Sequence, residues 1–119
     1  MVNINAGPGI VDVQDFAAGD TLRITYTFEF DVTGYTGWVG TARPKGANDD
    51  STDASADFDT TDIATGIVVL TFTSAQTTAL YEHSRAFRYD ARVKKDDGSV
   101  VTFAAGTVDM DNPITAVPT

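Results

Sequence analysis

The chain of 119 residues carries a net charge of −9 and contains no cysteine, and its composition is that of one globular domain. Disulfides, thiolate-bound zinc and thiol catalysis are therefore excluded, and the acidic balance disfavours direct binding to nucleic acid, whose phosphates would repel it. The sequence shows no apolar run of membrane-spanning length and no signal-peptide pattern, so we expect a protein made in the cytoplasm that binds no membrane.

The clearest predicted strand is residues 21–30, TLRITYTFEF, in which apolar and polar residues alternate without interruption. Its apolar face contains Leu22, Ile24, Tyr26, Phe28 and Phe30. A period of two predicts a strand with one buried face, which is typical of antiparallel sheets. Before it, IVDVQDF at residues 10–16 predicts an edge strand, and AAGD at residues 17–20 predicts a turn.

The next stretch, DVTGYTGW at residues 31–38, predicts a structural corner rather than a ligand site. Asp31 and Thr33 have side chains that hydrogen-bond to turn backbone, and Gly34 allows a tight turn. We expect Tyr35 to fill the end of the sandwich.

Four further segments follow the corner. Residues 38–44, WVGTARP, predict a strand that Pro44 ends, and residues 45–56 contain no large apolar residue and predict a solvated loop. A short strand is expected around Phe58. Residues 67–73, IVVLTFT, are β-branched and apolar and predict another strand.

The only helical signal lies near residues 74–80, where Thr73 and Gln76 have the spacing of a capping box. Residues 87–95, FRYDARVKK, alternate again, and the following DDGS predicts a hairpin turn. Beyond it the apolar positions change from odd to even numbers, which predicts a β-bulge or sheet switch near Ala105 and Gly106.

These elements predict an all-β, two-layer antiparallel sandwich of about seven strands with one short helix near 74–80. We expect the sandwich to occupy residues 10–110. Residues 1–9 are expected to form an N-terminal arm, and residues 111–119 an extended C-terminal tail.

Three stretches in consistent order resemble a phage-associated immunoglobulin-like domain family. They are AAGDTLRITYTFEFDVTGYTG, GIVVLTFTSAQTTAL and FRYDARVKKDDGSVVTFAAGTVDM. Well-known relatives are the N-terminal domains of upper baseplate proteins, and other members are small stand-alone virion proteins. The resemblance implies an immunoglobulin-like sandwich and a place in the virion, after synthesis in the host cytoplasm.

Charged residues cluster along the chain. Acidic candidates for partner binding are Asp49, Asp50 and Asp53, and basic candidates are Arg85, Arg88, Arg92 and Lys94. The clustering is compatible with two solvated faces, or with an acidic side and a basic side that contact neighbouring subunits.

Residues that could support other functions are few. His83 beside Ser84 lacks the further partners of a catalytic triad, and NDDSTD at residues 48–53 lacks the regular frame of a calcium loop. A sugar-binding platform could use the aromatic residues Tyr35, Trp38, Tyr81 and Tyr89. We therefore expect no enzyme activity, no cofactor and no metal.

The resemblance and the single-module length together suggest a non-enzymatic virion structural protein that decorates or cements the capsid. Its partners would be phage structural proteins, such as the major capsid protein, with many copies on each particle. Alternatives are a tail, baseplate or fibre attachment module and a carbohydrate-binding adhesion module.

Overall fold

The computed structural model describes residues 2–29 and 31–112, and these residues form ten strands and one α-helix. The strands are β1 (Val2–Ala6), β2 (Gly9–Ile10), β3 (Val13–Ala17), β4 (Leu22–Thr27), β5 (Thr36–Pro44), β6 (Ala54–Ser55), β7 (Asp57–Asp59), β8 (Ile67–Phe72), β9 (Ala86–Lys94) and β10 (Val100–Asp111). Helix α1 is Ser74–Tyr81, and a short 3₁₀ helix spans Ile63–Thr65.

The strands form two packed sheets. The small sheet has the order β1-β4-β8-β7, and the large sheet has the order β2-β10-β9-β5-β6, with β3 also paired to β10. An all-β sandwich with one short helix is therefore confirmed. Both sheets are mixed, because β1 pairs parallel with β4 while β2 and β3 pair parallel with β10.

Alternating apolar residues build the core between the sheets. β4 buries Leu22, Ile24 and Tyr26 completely, as its sequence pattern predicts. The apolar faces of β8 and β9 are buried in the same way. Phe28 is buried just after the end of β4, and Phe30 lies outside the described residues, as does the predicted tail beyond Asn112.

An aromatic cluster closes one end of this core around Phe103. The Phe103 ring centroid lies 5.3 Å from that of Tyr26 and 5.4 Å from that of Trp38, and both contacts are edge-to-face. Phe28 and Phe58 approach the same ring at 5.5 and 6.4 Å. Edge-to-face contacts add roughly 0.5–1.5 kcal/mol per pair to the stability from area burial.

The bulge that places Phe103 lies earlier than the sequence predicts. The register between β10 and β9 shifts between Thr102 and Ala104, so Phe103 is the extra residue, and both Phe103 and Ala104 are buried. The predicted bulge at Ala105 and Gly106 is therefore wrong in position. The change of the apolar positions from odd to even numbers did indicate a bulge, but Gly106 is needed for a different reason.

Gly106 makes room for the N-terminal segment, which crosses between the two sheets. The Val11 N–H donates to the Ala105 carbonyl at 2.9 Å, and the Val11 carbonyl accepts from the Tyr89 hydroxyl at 2.6 Å. A Cβ at Gly106 would lie 1.9 Å from that carbonyl oxygen. Only glycine lets the backbone of residue 11 approach β10 this closely.

The predicted N-terminal arm forms two strands of the sandwich. Val2–Ala6 belongs to the small sheet as β1, and the next strand, Gly9–Ile10, belongs to the large sheet as β2. The chain thus covers one side of the sandwich by pairing first with one sheet and then with the other.

The opposite side is closed in a similar way by residues 54–59. β6 pairs with β5, whereas β7 pairs with β8 of the other sheet. Between them, the Ala56 N–H donates to the Gly40 carbonyl at 2.8 Å. Ala54 and Ala56 pack against the core, so the predicted solvated loop at residues 45–56 is wrong at its C-terminal end.

Helix α1 begins with the predicted capping box. Thr73 accepts from the Gln76 N–H at 3.3 Å, and the Gln76 side chain accepts from the Thr73 N–H at 2.9 Å. The helix is fastened to the sandwich by buried Thr77, which donates to the Asp20 carbonyl at 2.8 Å. Among the described residues no helix has the length and apolar character needed to span a membrane.

Replacing Gly106 by Ala should test the crossing at Val11. The new methyl group would overlap the Val11 carbonyl, so we expect a loss of about 1–3 kcal/mol in the free energy of unfolding and faster hydrogen exchange at the Val11 amide. Gly7→Ala is the matched control, because nothing lies within 4 Å of a Cβ there. Equal stability of the two variants in urea titrations would contradict this account.

Candidate functional site

A shallow groove of about 840 Å³ lies on the outer face of the large sheet. Its floor is formed by outward-facing residues of β5, β9 and β10. One wall is the segment from Ile10 to Asp12, and the other includes Asp50 and Asp53 of the loop after β5. We refer to this depression as the groove.

Strand register sets the order of side chains along the floor. In one row Ala105 stands beside Asp90, which stands beside Thr41. The next row places Thr107, Arg88 and Arg43 side by side, again by register. The residues that β10 contributes are small, whereas the long Arg side chains of the lining come from β9 and β5.

The N-terminal wall is held to β10 by backbone hydrogen bonds. The Asp12 carboxylate accepts a hydrogen bond from the Thr107 N–H at 2.8 Å. This bond adds to the two hydrogen bonds that the Val11 backbone makes. Burial raises the pKa of Tyr89, so its hydroxyl stays protonated and donates to the Val11 carbonyl. The wall is thereby fixed, with the side chain of Ile10 left 80% exposed.

The opposite wall is fixed by an ion pair. The Arg43 guanidinium donates to both carboxylate oxygens of Asp53, at 2.7 and 2.8 Å. A bidentate pair of this kind aligns both groups. The hydrogen bonds from Arg43 hold the pKa of Asp53 below its usual range. Hydrogen bonds from Ser51 lower the pKa of Asp49 in the same loop.

The groove brings together the two charge clusters that are separate in the sequence. Arg88 and Arg92 rise from β9, and Asp50 and Asp53 face them from the loop. An acidic side distinct from a basic side is therefore wrong for these four residues. The side chains of Arg88 and Arg92 make no ion pair or hydrogen bond within the described part of the chain.

The other predicted partner-binding residues lie outside the groove lining. Arg85 is exposed in the turn that follows α1, and Lys94 is exposed at the end of β9. Asp49 lines a smaller depression of about 430 Å³ together with His83. The structure thus unites four of the seven predicted residues and separates three from them.

Exposed apolar side chains mark the same face. Ile10, Val39 and Val100 are 80%, 55% and 62% exposed, and each is in register with an outward-facing residue of the large sheet. The sequence analysis did not single out these residues. The alternation of residues 38–44 places Val39 on the outward face of its strand, and this pattern could have identified it from the sequence.

The predicted corner is a packed turn. Asp31 accepts hydrogen bonds from the Thr33 N–H at 2.8 Å and from the Thr33 hydroxyl. Tyr35 is half-buried and stacks on Trp38 at a centroid distance of 6.4 Å. Gly34 lies against the hairpin, where a Cβ would be 3.1 Å from that of Asp96. Val32, which the sequence analysis overlooked, is the fully buried residue of the corner.

The remaining chemical candidates are dispersed. His83 is exposed, and the Ser84 hydroxyl accepts from the Ala86 N–H at 3.3 Å. In the described ranges, no group of three or more His, Asp or Glu residues is arranged to hold a metal ion. Tyr89 is buried and Trp38 packs on core rings, so the four candidate aromatic residues do not form one exposed platform.

Comparison with known proteins gives no assignment. No protein-family model matches this sequence, and no curated protein is significantly similar to it.

The ion pair between Arg43 and Asp53 predicts a pH-dependent contribution to stability. Because the folded-state pKa of Asp53 is lowered, this contribution is present above the unfolded Asp pKa of about 3.9 and is lost as the pH falls through the folded pKa. Asp53→Asn should therefore lower the melting temperature at pH 7, and its difference from the wild type should vanish near pH 2.

Thermal melts between pH 2 and pH 7 measure this difference. Asp57→Asn, which changes an exposed carboxylate on β7, is the matched control and should melt like the wild type. A difference between Asp53→Asn and the wild type that did not change with pH would contradict the assignment.

Proposed function

We propose that the chain is a non-enzymatic structural subunit of a bacteriophage particle, most specifically a capsid decoration or cement protein. The outer face of the large sheet would bind a neighbouring virion subunit. The proposal combines the resemblance of residues 17–37, 66–80 and 87–110 to virion immunoglobulin-like domains with the character of this face.

The observation that carries the proposal is the composition of the face. Exposed Ile10, Val39 and Val100 supply apolar contact area, while Arg88 and Arg92 supply unpaired positive charge. Arg is enriched at protein interfaces, and the exposed apolar side chains would lose contact with water when a partner covers them. The groove is wide and shallow, which suits a loop or strand of another protein better than a small molecule.

Charge indicates what the partner surface carries. The chain as a whole has a net charge of −9, so association with an acidic subunit would be opposed over most of the surface. Arg88 and Arg92 offer a local exception, where a carboxylate of the partner is attracted. Asp50 and Asp53 on the rim repel acidic groups placed elsewhere and so help to set the orientation.

Reversing the two free arginines should weaken binding. For Arg88→Glu/Arg92→Glu we expect at least about a tenfold loss of affinity for particles that lack the protein at low ionic strength, and a smaller loss in high salt, where surface charges are screened. Binding is measured by sedimenting particles with added protein and counting the copies retained.

Lys45→Glu/Arg85→Glu is the matched control, because it makes the same change of net charge outside the groove. Equal weakening by the two double variants would show a general charge effect and would contradict a docking role for the groove. Unchanged binding by Arg88→Glu/Arg92→Glu would contradict it as well.

Copy number separates the capsid role from the tail alternative. A decoration protein is expected in hundreds of copies per particle, whereas a tail, baseplate or fibre module is expected in a few to some tens. Capsids without a cement protein should also lose resistance to heat or to low salt. Band intensities of purified particles, together with electron microscopy of a labelled copy, decide between these locations.

A further inference from the structure

The edges of the two sheets differ in how they are protected from pairing with other chains. β6 has two residues, and β7 has three with Asp57 and Asp59 at its ends. β3 is broken by a register shift at Asp15, which has a positive φ of 56°. Short length, charge and bulges are the usual devices that keep an edge strand from adding another strand.

β1 lacks all of these devices. It pairs with β4 in an unbroken register from Val2 to Ala6, and no strand in the described part of the chain covers its other edge. Asn3 and Asn5 are exposed, whereas Ile4 packs against the core. Within the described residues, the outward-pointing backbone groups of this strand have no strand partner.

The segment around β1 also has no charged side chain. Residues 1–11 contain no Asp, Glu, Lys or Arg, although the chain has a net charge of −9. Two copies of an acidic protein repel each other least where such a neutral edge meets another neutral edge. This favours a second copy of the chain over a basic or acidic partner.

The sequence of the edge is complementary to itself. If two β1 strands run antiparallel with Ile4 at the centre, Ile4 lies opposite Ile4, and Asn3 lies opposite Asn5 of the other copy. Directly opposed residues have Cβ atoms about 4.5–5.5 Å apart, so the opposed amides can hydrogen-bond to each other. The half-buried isoleucines extend the core-facing row of each small sheet.

We infer that β1 pairs antiparallel with β1 of a second copy about a two-fold axis. The four strands of each small sheet then join into one continuous sheet, with about four to six new backbone hydrogen bonds. A symmetric contact of this kind is closed, so it gives a dimer and not a fibre. The outer faces of both large sheets stay free, so this contact is separate from the proposed docking to another virion subunit.

Cross-linking tests the pairing and its register. The chain has no cysteine, so introduced thiols give no background. An equal mixture of Asn3→Cys and Asn5→Cys chains should form a covalent dimer under mild oxidation, because those positions face each other. Each variant alone places its thiols on the diagonal, about 7–8 Å apart, and should cross-link much less.

Charge substitution tests the same contact in solution. Asn3→Glu/Asn5→Glu places like charges opposite each other and should weaken dimerisation at least about tenfold in sedimentation equilibrium. Asn3→Lys/Asn5→Lys should do the same, and mixing the two variants should restore the dimer. Asn48→Glu, in an exposed loop, is the control and should dimerise like the wild type.

The outcomes are distinguishable. A wild-type chain that stays monomeric up to about millimolar concentration, or charged variants that dimerise as well as the wild type, would overturn the inference. If either cysteine variant alone cross-links as efficiently as the mixture, the proposed register is wrong. If the charged variants fail to fold by circular dichroism, the cysteine mixture decides by itself.

Discussion

The contact between the Val11 backbone and Gly106 determines how the N-terminal segment is placed. At this point the segment lies against β10, with the Val11 N–H bonded to Ala105 and its carbonyl bonded to the hydroxyl of Tyr89. The missing side chain of Gly106 provides the space. Because β1 and β2 lie on different sheets, a shift of this contact would move both strands, and the wall of the groove would move with them.

Two surfaces with different character result from this crossing. On the large sheet, the fixed segment raises exposed Ile10 beside a charged floor, and so forms half of the groove. On the small sheet, the same segment adds a strand without charged side chains, and its outer edge has no strand partner among the described residues. The docking proposed for the groove would use side chains, whereas the pairing proposed for β1 would use backbone groups, so the two contacts would not compete.

The sequence predicted the elements whose signals are local. The strands predicted at residues 21–30, 67–73 and 87–95 and the capping box at Thr73 all depend on near neighbours. The structure confirms them as β4, β8, β9 and the start of α1, although β4 ends at Thr27. The position of the bulge could not be predicted, because both a large residue at 103 and a glycine at 106 fit a change of parity. Only the approach of Val11, far away in sequence, gives Gly106 a separate role.

The groove could not be predicted from the sequence for the same reason, because strand register brings together residues that are far apart in the sequence. Arg43 stands beside Arg88, and Ile10 beside Ala105, yet no sequence pattern links either pair. The stretches that resemble virion domains contain the framework and part of the floor, including Arg88. Both walls, from Ile10 to Asp12 and from Asp50 to Asp53, lie outside those stretches. The proposed docking face therefore combines residues inside those stretches, such as Arg88 and Arg92, with walls that lie outside them.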